Sequence, residues 1–177
     1  MVKDQSRRNF LRTAPLAAAV TLPLAESMLH ASGLGAGAQG STPDPFEVIR
    51  GEKLAEVIKT LQVKPGNENL YVSQKLPFSV VLTAEEKKSG KEFEYHEGRD
   101  HVFHILDGST KYELGGTPKG ARSTKPGEWL APESEGATTL TLNKGDMLVI
   151  PRGTPHKRIT DVSVTLILIS IEGQAKA

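Results

Sequence analysis

Apolar side chains recur at helical spacing between residues 52 and 61, where they fall at positions i, i+3, i+4 and i+7. This spacing puts them on one face of a helix. They are Leu54, Val57, Ile58 and Leu61. A Pro-Gly pair at 65–66 follows and is typical of a helix end. The pattern therefore predicts one short amphipathic helix.

From residue 70 onward the apolar runs become short and are separated by Gly, Pro and polar turn signals. Such spacing is typical of an all-β sandwich or barrel. The predicted strands are 71–74, 78–84, 92–96, 100–106, 111–114, 138–142, 147–150, 156–159 and 163–171. Segment 115–137 is polar, rich in Gly and Pro, and lacks a period. It predicts a long loop or ribbon beside the mouth of a barrel.

The N-terminus has the features of an export signal. Arg7 and Arg8 are followed by Phe10 and Leu11, and then by an apolar stretch over 14–25. That stretch is too short to span a bilayer and suits the apolar part of a signal peptide. A cleavage candidate of the A-x-A type lies at 36–38.

This order resembles the twin-arginine (Tat) signal pattern. The resemblance implies a Tat signal peptide over 1–38, followed by a connector with the short helix over 39–69 and a barrel domain over 70–177. It also implies that the Tat export machinery is a partner, that the protein is periplasmic or otherwise exported, and that it has no membrane association after processing.

Charge and composition exclude several kinds of function. Residues 1–38 hold four of the 22 basic and two of the 21 acidic residues, so the remainder carries a formal charge of −1. Nucleic acid is therefore not expected as a partner. The chain has no cysteine, which excludes disulfides, thiolate metal sites and a cysteine nucleophile. No Ser-His-Asp arrangement, phosphate loop or dinucleotide fingerprint is present in the sequence.

One motif carries specific chemistry. Gly145, Pro151, Gly153 and His156 stand at the spacing G-x5-P-x-G-x2-H. The glycines and the proline predict turns on either side of a buried strand, so that the histidine re-enters the barrel. The pattern resembles the second motif of the cupin family. That motif often has Asn four residues past the histidine, where this chain has Thr160.

A more degenerate match lies upstream. The first cupin motif is commonly H-x-H-x3–4-E-x6-G, and His101 and Gly108 fit its last spacing. His101 then takes the slot of the usual Glu, while His96 and Glu94 take the two His slots. With the shorter spacing, Glu97 and Tyr95 fill those two slots instead. The choice between Glu94 and Glu97 stays open at this point.

The resemblance implies an antiparallel cupin (jelly-roll) barrel that holds one divalent transition metal ion (Mn, Fe, Zn, Ni or Cu). The ligand set that it implies is Glu94, His96, His101 and His156. Strand alternation turns His104 to the face opposite His101, so His104 is not expected to be a ligand.

The same resemblance implies a metal-dependent enzyme, either a dioxygenase, an isomerase, a decarboxylase or a lyase, acting on a small oxygenated molecule. The alternative is a non-catalytic periplasmic protein that binds metal or a small molecule such as a sugar or an organic acid. A third interpretation is a barrel that has lost its metal and serves a structural role. A small-molecule ligand is the expected partner, and the resemblance allows a homodimer. No catalytic residue is identified from the sequence.

Overall fold

The computed structural model describes residues 46–174, which form one helix followed by short and long strands. The predicted leader over 1–38 and residues 39–45 of the predicted connector lie outside these residues. The elements are α1 (Gly51–Val63), β1 (Gly66–Val72), β2 (Phe78–Ser89), β3 (Phe93–His96), β4 (Arg99–Leu114), β5 (Thr117–Lys119), β6 (Arg122–Lys125), β7 (Glu128–Ala131), β8 (Glu133–Glu135), β9 (Thr138–Asn143), β10 (Met147–Ile150) and β11 (His156–Glu172). The prediction of an all-β antiparallel fold with one short N-terminal helix is confirmed.

Two long strands, β4 and β11, organise the barrel. They pair with each other along most of their lengths, and β11 also pairs with β2 on its other side. β9 and β10 both pair with β4, and β1 pairs with β2. The resulting sheet curls around an interior cavity whose wall takes residues from β1, β2, β3, β4 and β11.

Alternation along the long strands builds the core. Phe103, Ile105 and Tyr112 on β4 are buried with Val164 and Leu166 on β11. The polar or half-buried residues between them face the other side, as the period of a strand requires. Leu142 of β9 and Ile150 of β10 close the same cluster.

The helix lies against the barrel by the face that the sequence predicts. Its apolar residues pack around Leu82 and Ala84 of β2, together with Leu106 and Ile167. Leu61 is the buried member of that face. The helix is slightly longer than predicted, and Lys64, just before the Pro-Gly pair, caps its end. No helix within residues 46–174 is long and apolar enough to cross a membrane.

The sequence-based prediction wrongly divides each of the two long strands into two. The predicted strands 100–106 and 111–114 are one strand, β4, and 156–159 and 163–171 are one strand, β11. Gly108, which separates the two predicted strands, lies inside β4 with a φ of 72°, opposite Val164 and beside an irregularity in the pairing. A bulge therefore bends the strand without ending it. The first strand also begins earlier than predicted, at Gly66, with a bulge between Asn69 and Tyr71.

Segment 115–137 forms the predicted ribbon. β6 pairs with β7, and β7 pairs with β3, which attaches the ribbon to the barrel. β5 and β8 form a small sheet of their own. Leu130 of β7 lies in the cavity wall, so the ribbon stands beside the cavity as expected.

Substituting Gly108 should destabilise the barrel strongly. A Cβ at this position would lie 2.2 Å from the carbonyl oxygen of Ser163, and its φ is positive. Gly108→Ala should therefore lower the free energy of unfolding by about 2–4 kcal/mol, measured by urea denaturation. Gly136→Ala is the control, because Gly136 has a φ of 80° but no neighbour within 4 Å of its Cβ position. Equal effects of the two substitutions would contradict the steric argument.

Candidate metal centre

Three buried histidines meet inside the barrel. His96 ends β3, His101 lies near the start of β4, and His156 begins β11. Each contributes one ring nitrogen to a group whose members all lie within 4.8 Å of one another. Their ring centroids are 4.9 to 5.5 Å apart. The antiparallel pairing of β11 with both β3 and β4 creates this cluster from residues that are distant in sequence.

Each of these imidazoles is held through its Nδ1 atom. Nδ1 of His96 lies 2.6 Å from a carboxylate oxygen of Glu128. Nδ1 of His101 lies 3.1 Å from the hydroxyl of Ser170. Nδ1 of His156 lies 2.9 Å from the carbonyl oxygen of Thr154, to which it must donate. Metal-binding histidines are typically fixed in this way through the nitrogen that does not bind the ion. The arrangement leaves the three Nε2 atoms as the candidate ligands.

The surroundings of the His156 Nε2 atom suit a cation. It is buried and has no hydrogen-bond partner within residues 46–174. In the neutral ring, Nδ1 donates to the carbonyl and Nε2 carries the lone pair, and a buried acceptor without a partner costs about 1–3 kcal/mol. Glu94 Oε1, a second acceptor, lies 3.5 Å away, which is long for a hydrogen bond. Two acceptors that face each other in this way fit a shared cation.

The protonation states also suit a cation site. The pKa of Glu94 is lowered to about 2, first by a hydrogen bond from His156 and further by the positive charge that the three imidazoles carry when protonated, while burial opposes the shift. Burial lowers the pKa of His101 to about 3, and the neighbouring His156 and His96 add to that shift. The pKa of His96 is also lowered, first by burial and then by Arg99. At neutral pH the carboxylate is therefore ionised and His96 and His101 are neutral, which are the forms that bind metals.

Glu94, and not Glu97, lies beside the histidines. Glu97 accepts a hydrogen bond from the indole nitrogen of Trp129 at 2.9 Å. Tyr95 points away from Glu94 along the strand and stacks on Trp129, with ring centroids 5.8 Å apart. The alternation that puts Glu94 and His96 on one face follows from the period of β3. His104 pairs with Met147 of β10 and takes no part in the cluster.

The sequence reasoning missed Glu128, which supports His96 from the ribbon. This carboxylate contacts Nδ1 of His96 and accepts hydrogen bonds from Arg99 at 2.6 Å. It lies 32 residues from His96, in the segment without a recognisable period. No pattern in the sequence pairs the two, because the contact depends on β3 lying beside β7.

The histidines open into a cavity of about 560 Å³, a size typical of small-molecule sites. His101, His156 and Glu94 form part of its wall. Farther along the wall, Arg158 donates to both carboxylate oxygens of Glu85, at 2.7 and 2.8 Å. The other lining residues include Asn67, Asn69, Val81, Thr83, Phe103, Tyr112, Leu130 and Leu168.

The chain matches no protein-family model and no curated protein. Solved structures similar to it are cupin and double-stranded β-helix proteins. A cupin superfamily protein from Desulfitobacterium hafniense is 15% identical over 62% of this chain and 78% of its own, with a TM-score of 0.44. A cupin-2 domain protein from Shewanella frigidimarina is 17% identical over 64% and 89%, with a TM-score of 0.41. An uncharacterised protein with a double-stranded β-helix domain from Klebsiella pneumoniae is 13% identical over 63% and 80%, with a TM-score of 0.44. The function has to be argued from the site itself.

Removing the carboxylate of Glu128 should weaken metal binding. Glu128→Ala frees the His96 ring and leaves Arg99 beside it with Glu172, at 3.7 Å, as its remaining carboxylate contact. We expect about a 10- to 100-fold loss of metal affinity, measured by competition with a chelator. Glu133→Ala, an exposed position on the same ribbon, should leave the affinity unchanged. Equal affinities for the two variants would contradict a supporting role for Glu128.

The buried Glu85–Arg158 pair should make stability depend on pH. Burial raises the pKa of Glu85, but hydrogen bonds and charge from Arg158 outweigh this, so the pKa lies below 4.5. A carboxyl with a lowered pKa stabilises the folded state above the unfolded pKa and loses that effect as the pH falls through the folded pKa.

Glu85→Gln should therefore lower the free energy of unfolding by about 2 kcal/mol at pH 7, and the gap to wild type should narrow near pH 3. Urea denaturation at both pH values measures this. Glu86→Gln, an exposed neighbour, should show no such gap. A gap for Glu85→Gln that stays constant with pH would refute the electrostatic origin.

Proposed function

We propose that this chain is an exported protein of the cupin type that binds one divalent transition metal ion (Mn, Fe, Zn, Ni or Cu) and acts as an enzyme on a small oxygenated molecule. The ligands would be His96, His101, His156 and Glu94. The observation that carries the proposal is the set of three buried imidazoles, each held through Nδ1, beside an ionised carboxylate. The cupin assignment is further supported by the motif from Gly145 to His156.

The surroundings of the histidines support a site that is open to small molecules. His101 and His156 are buried, whereas 54% of the Glu94 side chain is exposed. The metal would thus be held from the barrel interior and reached from the cavity. A bound divalent ion would supply Lewis acid chemistry and orient oxygen atoms of a substrate. The role of the chain is to fix the three rings and to bound the space in which a substrate lies.

The reaction classes that remain within this proposal are dioxygenation, isomerisation, decarboxylation and lyase chemistry. Export through the Tat machinery is also part of the proposal and is supported by Arg7, Arg8 and the apolar stretch that follows. That route carries folded proteins, which fits a site that is loaded with metal before export.

A second candidate function is a non-catalytic protein that binds metal or a small molecule. It is favoured by the ionisable residues around the cavity, several of which are held in ion pairs. Glu85 pairs with Arg158, Glu92 with Arg122, and Lys157 with Glu113. A paired side chain is less available to move protons, so these contacts favour binding over turnover.

Elemental analysis of protein purified without chelator or metal-affinity tag tests the site. Wild type should carry about one metal ion per chain, and His156→Ala should lose it. His104→Ala is the matched control, because His104 lies on the opposite face of β4 and should leave the metal in place. Turnover of small oxygenated acids by the loaded protein would support the enzyme, and tight binding without turnover would support the second candidate. No metal in wild type, even after reloading, would remove the metal-dependent enzyme and leave a barrel that binds a small molecule or serves a structural role.

A further inference from the structure

The cavity wall carries a second polar cluster beyond the histidines. It consists of Tyr112 on β4, Arg158 and Thr160 on β11, and Glu85 on β2. Tyr112, Arg158 and Glu85 line the same cavity as His101 and His156. None of these four residues is among the proposed metal ligands.

The strand geometry fixes the distance between the two clusters. Arg158 follows His156 by two residues on β11, so both side chains face the cavity. Two residues of a strand span about 7 Å. Tyr112 is the direct partner of Arg158 on β4. Phe103 lies between the clusters, with its ring centroid 5.7 Å from that of His101 and 5.2 Å from that of Tyr112.

The hydrogen bonds within the second cluster determine which of its donors remain free for a ligand. Arg158 donates through Nε and Nη2 to the two carboxylate oxygens of Glu85, and through Nη1 to the hydroxyl oxygen of Tyr112 at 3.3 Å. Thr160 also donates to Glu85, at 2.7 Å. Glu85 is therefore fully engaged, and the oxygen of Tyr112 serves as an acceptor.

The hydroxyl hydrogen of Tyr112 takes part in none of these hydrogen bonds. No acceptor for it exists among the contacts of residues 46–174, although only 1% of the side chain is exposed. Burial raises the pKa of Tyr112 to about 12, so the hydroxyl stays protonated and keeps a hydrogen that it can donate. Buried hydroxyls normally find a partner. This unshared hydrogen in the cavity wall is therefore available to an acceptor oxygen on a bound molecule.

We propose that Tyr112, supported by Arg158, binds an acceptor oxygen at the far end of the substrate, while the near end lies at the histidines. This inference rests on the proposed function and specifies its substrate class. The substrate is a small molecule with oxygen-bearing groups at both ends and an apolar middle that lies over Phe103. With carbon–carbon bonds of about 1.5 Å, a chain of about five carbons spans the gap.

The far-end group is defined by charge as well as by length. Glu85 neutralises Arg158, so the cluster contributes donors without a net positive charge. A neutral carbonyl should therefore be accepted as well as a carboxylate, whereas a methyl group should not. A hydrogen bond of this kind changes the affinity by up to about tenfold.

Three five-carbon probes test this specificity by titration calorimetry with Mn²⁺-loaded protein. They are 2-hydroxyglutarate, its 5-amide and 2-hydroxypentanoate, which share the chelating end and differ only at the far end. We expect the first two to bind about tenfold more tightly than the third. Equal affinity for all three, or no binding of any of them by metal-loaded protein, would overturn the proposal. This ranking uses wild type alone, so it does not depend on the folding of a variant.

Tyr112→Phe should lower the affinity for 2-hydroxyglutarate and its 5-amide about tenfold and leave the affinity for 2-hydroxypentanoate unchanged. Tyr95→Phe is the matched control, because Tyr95 stacks on Trp129 outside the cavity lining. Elemental analysis accompanies each titration. Protein that fails to load metal would contradict the proposed function, whereas a loaded Tyr112→Phe variant that still discriminates among the probes would contradict only the role of Tyr112.

Discussion

The antiparallel pairing of β4 with β11 is the constraint on which the rest of the structure depends. Its register places Ser170 opposite His101 and Arg158 opposite Tyr112. Because side chains alternate faces along a strand, a slip by one residue would turn His101 and Phe103 out of the barrel. The bulge at Gly108 lets one continuous strand bend while it keeps the correct face inward on both sides.

The same pairing explains why polar groups can lie so deep in a small barrel. A buried carboxylate such as Glu85 is tolerated because Arg158 and Thr160 supply its hydrogen bonds. The histidines are held in a comparable way by a carboxylate, a hydroxyl and a backbone carbonyl. The interior is thus a set of fixed polar contacts around an apolar centre, which favours a defined orientation of whatever binds there.

Local patterns in the sequence were sufficient for the helix and for most strands, and the resemblance to the cupin motifs implied that His96, His101 and His156 form one group. These features follow from helical period, strand alternation and motif spacing, which are read over a few residues. The continuity of β4 and β11 was missed because Gly108 serves equally well in a turn and in a bulge, and only the close approach of Ser163 decides between them. The contact of Glu128 with His96 and the contact of Tyr112 with Arg158 depend on which strands lie side by side. No local sequence pattern indicates which strands are neighbours.

The position of His156 at the start of the last strand has a consequence for the order of events in folding. A chain that lacks β11 has neither the third imidazole nor the strand that joins β2 to β4. The three-histidine group therefore arises only when β11 has paired with β3 and β4, and strand pairing between segments so distant in sequence is intrinsically slow. An ion that needs all three rings would bind the completed barrel and not its precursors, so it would slow unfolding without helping the chain to begin folding.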